Sequence, residues 1–178
     1  MKRIQLLDKE FVLSIPASDI KKALWRMAEK MNRELGDKNP LMICILNGSF
    51  MFSADLMKLL DFPCEVSFVK LSSYQGTGST GKVKKLIGLS EEIKGRTVVL
   101  LEDIVDTGTT MESLVSQLEA GQPAEVKVAT LLFKPEACQK ELKLDYIGLR
   151  IPNEFIVGYG LDYNGYGRNL PDIYTVIE

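Results

Sequence analysis

The chain contains no histidine. Mechanisms that need a His base, nucleophile or metal ligand are therefore excluded. A general base has to be a carboxylate, Lys, Tyr or Cys, and the metal chemistry left open is that of a hard, oxygen-bound cation, which favours Mg²⁺. Cysteine is scarce and odd in number, and Cys44, Cys64 and Cys138 stand isolated. They make neither a zinc motif nor a disulfide framework, and read as reduced core residues of a cytoplasmic protein. No apolar run reaches the roughly 18 residues of a membrane helix, and no signal-peptide pattern is present. Neither charge dominates: 22 Lys and Arg stand against 24 Asp and Glu, giving a net charge of −2 and a pI near 5.4. Charge thus gives no basis for a nucleic-acid or membrane surface. The phosphate-loop pattern GxxxxGK[ST] is missing, which disfavours a nucleotide triphosphatase. There is no internal repeat and no linker. What is present is 178 residues at 46% hydrophobic and mean hydropathy +0.02, enough for one domain or a core with a small appendage.

Residues 97–111, TVVLLEDIVDTGTTM, organise the rest. An apolar β-type run, Val98 to Leu101, is followed by two adjacent carboxylates, Glu102 and Asp103, and then by the polar turn Asp106-Thr107-Gly108-Thr109-Thr110. The period then changes, with Met111, Leu114, Val115 and Leu118 on one helical face. The stretch reads strand, turn, helix, a junction at the carboxyl edge of an α/β sheet, where ligands bind. The first N–H groups of a helix lack internal partners and carry partial positive charge, which suits a phosphate. Gly108 allows close approach and a positive φ, and Thr107, Thr109 and Thr110 add hydroxyls. Glu102 and Asp103 would repel a phosphate, and make sense as acceptors for sugar hydroxyls or as part of a cation site. Phosphate on the turn and hydroxyls on the acids together describe a ribose phosphate. The plainer reading is a capping turn after an edge strand.

Elsewhere the pattern is that of a mostly parallel sheet flanked by helices. Residues 2–8 read as a short strand, and residues 18–35 as a helix with Ser18 as N-cap and Gly36 at its end. Leu41 to Leu46 is a continuous apolar run suited to a strand buried on both faces, and it runs into Asn47-Gly48-Ser49 and a helical pattern over 50–60. Strands are expected at 65–71, 82–88, 125–133 and 146–149. Residues 72–81, SSYQGTGSTG, have the composition of a mobile loop. Lys134 follows a strand at the carboxyl end of the sheet. The last segment, from Ile151, is rich in aromatics and glycines, with Phe155, Tyr159, Tyr163 and Tyr166 able to pack a small lobe.

LLEDIVDTGTT resembles the signature of the type I phosphoribosyltransferases, which bind 5-phosphoribosyl-1-pyrophosphate. With the C-terminal FIVGYGLDY and Arg168, the chain resembles the hypoxanthine-guanine phosphoribosyltransferases over nearly its whole length. The resemblance implies the type I phosphoribosyltransferase fold in a single domain: a core over about 18–150, and a hood from about 1–12 and 151–178. It implies Mg²⁺-dependent transfer of phosphoribosyl to N9 of hypoxanthine or guanine, giving IMP or GMP in purine salvage. Carried over by residue, Asp106 is the proton acceptor near N7, and Asp106 to Thr110 hold the 5-phosphate. Glu102 and Asp103 hold the ribose and a metal, while Asn47, Gly48 and Arg168 hold pyrophosphate. Lys134 donates to the 6-oxo group, Phe155 stacks on the purine, and Ile156 meets the base edge through its backbone. Asp162 helps hold Mg²⁺ beside the base and pyrophosphate, and Ser73-Tyr74 belong to a catalytic lid. The family has a cis peptide at the pyrophosphate loop, here Leu46–Asn47 or Asn47–Gly48, with the family pattern favouring the former. Many members carry Lys or Arg where this chain has Asn47, so that charge is absent here. A homodimer or homotetramer is implied, and Phe50, Met51 and Phe52 are candidates for its interface or for the core. Two alternatives remain open at this point. One is a non-catalytic regulator that senses the sugar pyrophosphate, typically binding nucleic acid. The other is the same chemistry with xanthine preferred.

Overall fold

The computed structural model describes residues 2–74 and 83–177. Strands β1 (Arg3–Leu6) and β2 (Lys9–Ile15) form a hairpin, followed by helix α1 (Ala17–Leu35). Then come β3 (Leu41–Leu46), α2 (Phe50–Met57), β4 (Glu65–Tyr74) and β5 (Val83–Ile87). The chain continues with β6 (Thr97–Val105), α3 (Thr109–Glu119), β7 (Glu125–Phe133) and β8 (Tyr146–Arg150), and ends with β9 (Ile156–Val157) and β10 (Ile173–Val176).

The main sheet has the order β5-β4-β3-β6-β7-β8. All neighbours are parallel except β5, which runs antiparallel on the β4 edge. From β3 the chain moves to β4 on one side, and from β6 it moves to β7 on the other. The carboxyl ends of β3 and β6 therefore flank a topological switch point, the place in an open α/β sheet where a crevice opens. Both junctions singled out in the sequence meet there.

The apolar stripe of α1 explains its seat. Ile20, Leu24, Met27, Met31 and Leu35 are buried against Met42, Cys44 and Leu101 on one face of the sheet, together with Phe52 and Leu56 of α2. Each such side chain contributes roughly 1.5–3 kcal/mol. The other face packs Ile43, Leu100 and Val128 against Met111, Leu114 and Leu118 of α3. Phe52 is wholly buried, so it belongs to the core and not to an interface. The cysteines are unbridged, Cys44 is buried, and burial pushes its thiol pKa up.

A second, antiparallel sheet, β1-β2-β10-β9, joins the two ends of the chain. It differs from the expected single strand at 2–8, because the polar pair Lys9-Glu10 masks a second strand that runs on to Ile15. Helix α1 also starts differently. Pro16 occupies the N-cap position, no local side chain caps it, and the Ala17 N–H donates instead to Asp172 Oδ1 (2.8 Å). Gly36 is right-handed helical at φ −55, not a left-handed stop. Helix α2 ends at Met57, earlier than expected, and β6 carries its strand geometry through the acid pair to Val105 as an interior strand, not an edge. Strand β8 gains Arg150. Strand β4 likewise extends beyond Leu71, so the backbones of Ser73 and Tyr74 pair with Lys84 and Val83 of β5 instead of starting the loop. The glycine-rich remainder of that expected lid, 75–82, lies outside the described residues.

Candidate active site

A cleft of about 280 Å³ opens at the switch point. It is lined by Leu46 and Gly48 from the end of β3, by Glu102 and Asp103 of β6, and by Asp106, Thr107, Gly108 and Thr110 of the following turn. Gly108 is left-handed (φ 84) and is the N-cap residue of α3. A Cβ there would press on Leu142 and Cys138 of the β7–β8 connection, and the Gln139 N–H donates to Thr107 O (3.0 Å). The turn is therefore clamped from behind, while Thr107, Gly108, Thr110 and Met111 place the N-terminal end of α3 at the cleft, where a helix favours an anion. Thr109 and Thr110 open the helix.

Glu102 and Asp103 are both buried, although they lie on a strand. Each is tied by one oxygen to the next residue's amide: Asp103 N donates to Glu102 Oε1 (3.2 Å), and Ile104 N donates to Asp103 Oδ1 (3.0 Å). Asp103 Oδ2 fills the space above Gly48, where any side chain would collide with it. Only glycine lets the loop after β3 lie this close to the acid pair. The Leu46–Asn47 peptide is cis, and the Asn47 side chain is exposed.

Lys134 is only 6% exposed, and its Nζ stands 3.5 Å from Asp106 Oδ2. A buried ammonium requires a partner, and the parallel pairing of β6 with β7 supplies one by bringing Val105 beside Phe133. The two residues assigned to the base in the sequence thus form an ion pair.

The C-terminal segment holds the remaining residues nominated in the sequence, Phe155, Ile156, Asp162 and Arg168, which stand outside the cleft lining. Phe155 is half exposed, its ring backed by Tyr163 edge-on at 5.9 Å and by Phe11 at 6.3 Å. Tyr163 donates to Asp8 Oδ1 (2.8 Å), so both chain ends fix the platform. Ile156 lies opposite Thr175, while Val176 N donates to Phe155 O (3.0 Å). Antiparallel alternation therefore turns the Ile156 amide and carbonyl away from β10 and off the edge of the sheet. Arg168 Nη2 pairs with Asp162 Oδ1, and Arg168 Nη1 donates to Gly160 O, both at 2.6 Å. Asp162 Oδ2 also accepts the Gly165 N–H (2.7 Å).

Two contributors escaped the sequence reading. Gly160 (φ 100) lies directly against the Gly48 carbonyl, joining the C-terminal segment to the loop after β3. Tyr159, also left-handed, reaches α2 and donates to Asp55 Oδ2 (2.7 Å). The spaced glycines of VGYGLDY were the available signal for a close backbone approach. Among the described residues no three acidic or cysteine side chains converge into a ready-made metal cage. Glu102, Asp103 and Asp162 do not form a preassembled trio.

The phosphoribosyl transferase domain family matches residues 15–164. A hypoxanthine-guanine phosphoribosyltransferase of Streptococcus pyogenes serotype M3 is 43% identical over 162 residues, covering 90% of each chain. A hypoxanthine-guanine-xanthine phosphoribosyltransferase of Tritrichomonas foetus is 42% identical over 156 residues, 87% of this chain and 85% of that one. Among solved structures, a hypoxanthine phosphoribosyltransferase of Staphylococcus aureus superposes with a TM-score of 0.86 at 33% identity, covering 93% of this chain and 90% of that one. Likeness of this extent, on a chain whose acid pair and glycine turn line one cleft, shows that the protein belongs to the hypoxanthine-guanine phosphoribosyltransferase family.

Proposed function

We propose that the chain transfers a 5-phosphoribosyl group from 5-phosphoribosyl-1-pyrophosphate to N9 of hypoxanthine or guanine, releasing pyrophosphate. The observation that carries this reading is the Lys134–Asp106 pair at 3.5 Å. The 6-oxo group and N7 are neighbours on a 6-oxopurine. An ammonium beside a carboxylate offers a donor to the oxo group and an acceptor to an N7–H. Adenine would turn an amino donor toward the ammonium, so it is disfavoured.

In the reaction the bond from C1′ to pyrophosphate breaks and the bond from N9 to C1′ forms. The proton on N7 passes to Asp106. The turn from Asp106 to Thr110 anchors the 5-phosphate, Glu102 and Asp103 accept from the ribose hydroxyls, and Arg168 and the Gly48 backbone hold pyrophosphate. The charge that develops on the sugar is cationic, and the acid pair favours it. Phe155 stacks on the base, the Ile156 backbone meets its edge, and Ser73-Tyr74 belong to the lid. The donor set fits Mg²⁺: hard carboxylates, no histidine and, among the described residues, no closed cage, as expected of an ion that keeps water and substrate phosphates as ligands. Glu102, Asp103 and Asp162 would hold it, and it would supply neutralisation of the leaving pyrophosphate. Among the described residues no helix is long and apolar enough to cross a membrane, and the reading is of a cytoplasmic enzyme.

The test is a steady-state assay with the sugar pyrophosphate, Mg²⁺ and one purine at a time. Nucleotide is expected from hypoxanthine or guanine and none from adenine. Xanthine belongs in the series, because the Tritrichomonas foetus relative is named for it. Binding of the sugar pyrophosphate without turnover on any base would instead favour a sensor.

We also propose self-association through the α1–α2 face. Val66 and Phe68 of β4 pair with Met42 and Cys44, so they point to that face, where they are 40% and 52% exposed. Phe50 on α2 is exposed as well. A homodimer or homotetramer would cover them. Phe68→Glu is expected to shift the mass measured by light scattering toward the monomer, and a monomeric wild-type protein would rule the interface out. Charging Phe52 would test only folding, since it is core.

A further inference from the structure

We propose that Asp55 and Tyr159 are positioning residues for pyrophosphate, latching the hood turn that presents Arg168 onto the helix that grows out of the pyrophosphate loop. The inference rests on the functional reading above and assigns that site a support lying outside it.

Residues 158–160 all take positive φ, at 104, 49 and 100. Such a run is held by its surroundings, and four contacts hold it. The Tyr159 hydroxyl donates to Asp55 Oδ2 at 2.7 Å. Tyr159 N donates to Leu170 O (2.8 Å) and Gly160 N to Arg168 O (2.9 Å). Gly160 abuts the Gly48 carbonyl. Tyr159 itself is 5% exposed, so its hydroxyl needs a partner inside the protein. Burial, then the carboxylate, pushes its pKa up, so it remains a donor at every working pH.

The geometry forms a chain of contacts. Asp55 sits on α2, which starts at Phe50, directly after the Asn47–Gly48 loop. Tyr159 ties that helix to the hood turn. The next carbonyl, Gly160 O, accepts from Arg168 Nη1, and Arg168 Nη2 holds Asp162. The latch therefore fixes the distance between the two halves of the pyrophosphate site. With a neutral Asn at position 47, Arg168 is the cation that these described residues supply, so its placement matters more. Phe155 and Lys134, which serve the base, are not part of this chain of contacts.

The test is calorimetric titration of Mg-pyrophosphate, run beside steady-state kinetics on the full chain. Tyr159→Phe keeps the packing and loses the hydrogen bond. It is expected to raise the pyrophosphate Kd and the KM of the sugar pyrophosphate at least fivefold, with the KM of the base changed less than twofold. Asp55→Ala should match it, and the double variant should be no weaker than either single by more than twofold. Asp55→Asn keeps an acceptor for the hydroxyl and should restore affinity to within twofold of wild type. Lys58→Ala removes the exposed ion pair on the other oxygen of Asp55 (2.6 Å) and should change nothing. Unchanged pyrophosphate affinity in Tyr159→Phe and Asp55→Ala would overturn the latch, as would equal rises for pyrophosphate and base. If wild-type protein bound pyrophosphate but turned over no purine, the functional reading would fall and the titrations would still decide the latch. No pyrophosphate binding by wild type would overturn both.

Discussion

Asp106→Asn is expected to lower turnover at least tenfold, about 1.4 kcal/mol of barrier, while the KM of the sugar pyrophosphate stays within about twofold. The substitution is isosteric, and the structure says what survives it. The turn is clamped through Thr107 O and Gly108, contacts that do not involve the Asp106 carboxylate. Phosphate anchoring should therefore persist. Two things are lost. An amide cannot accept the N7 proton, which strikes the chemical step. Lys134, nearly buried, also loses its charged partner. The KM of the base is then expected to move by a few-fold, in a direction set by whether the released ammonium is taken up by the 6-oxo group. The profile that identifies a base is a fall in kcat and kcat/KM together. Turnover within about twofold of wild type would remove Asp106 from that role and leave it as the partner that keeps Lys134 charged and aimed.

The parts legible in the sequence were those written in local pattern. The run LMICIL could only be a two-sided buried strand, and Leu41 to Ile45 are buried throughout. The helical face Met111, Leu114 and Leu118 follows from a period read over a few residues, and the positive φ of Gly108 follows from a turn that needs one. The illegible parts are contacts between distant segments, which leave no period behind. The cap of α1 comes from Asp172, 155 residues away, so Ser18 looked right and was not used. Strand β2 exists because β10 returns to pair with it from the far end of the chain, not because KEFVLSI announces itself. The same holds at the site. Glu102, Asp103 and Asp106 are neighbours in sequence and were found together. The Asp55–Tyr159 bond spans 104 residues, and the contact of Gly160 with Gly48 is set by the closing of the hood. Residue types can nominate a binding group, but the supports that aim it are tertiary.

Gly160→Ala puts that tertiary support to the strongest test, and Gly165→Ala is its control. Both glycines lie in the same hood segment with similar positive φ, 100 and 88. An alanine at either position carries the left-handed penalty of about 1–2 kcal/mol. Only at position 160 does the added Cβ meet something. It would run into the Gly48 carbonyl oxygen, with Gly48 C at 3.2 Å behind it, whereas nothing lies within 4 Å at position 165. Both colliding partners at 160 are backbone, so no rotamer change relieves the contact, and either the hood turn or the loop after β3 has to move. Moving the turn shifts the carbonyl that holds Arg168; moving the loop shifts Gly48 against the Asp103 carboxylate. Either displacement reaches the groups proposed for pyrophosphate. Gly165→Ala is expected to lower thermal stability modestly with kinetics close to wild type. Gly160→Ala is expected to lower stability further and to raise the KM of the sugar pyrophosphate at least tenfold. Thermal melts and paired Michaelis constants would read both. Equal kinetic losses in the two variants would mean that backbone strain alone governs the hood, and that the approach of Gly160 to Gly48 does not set the pyrophosphate site.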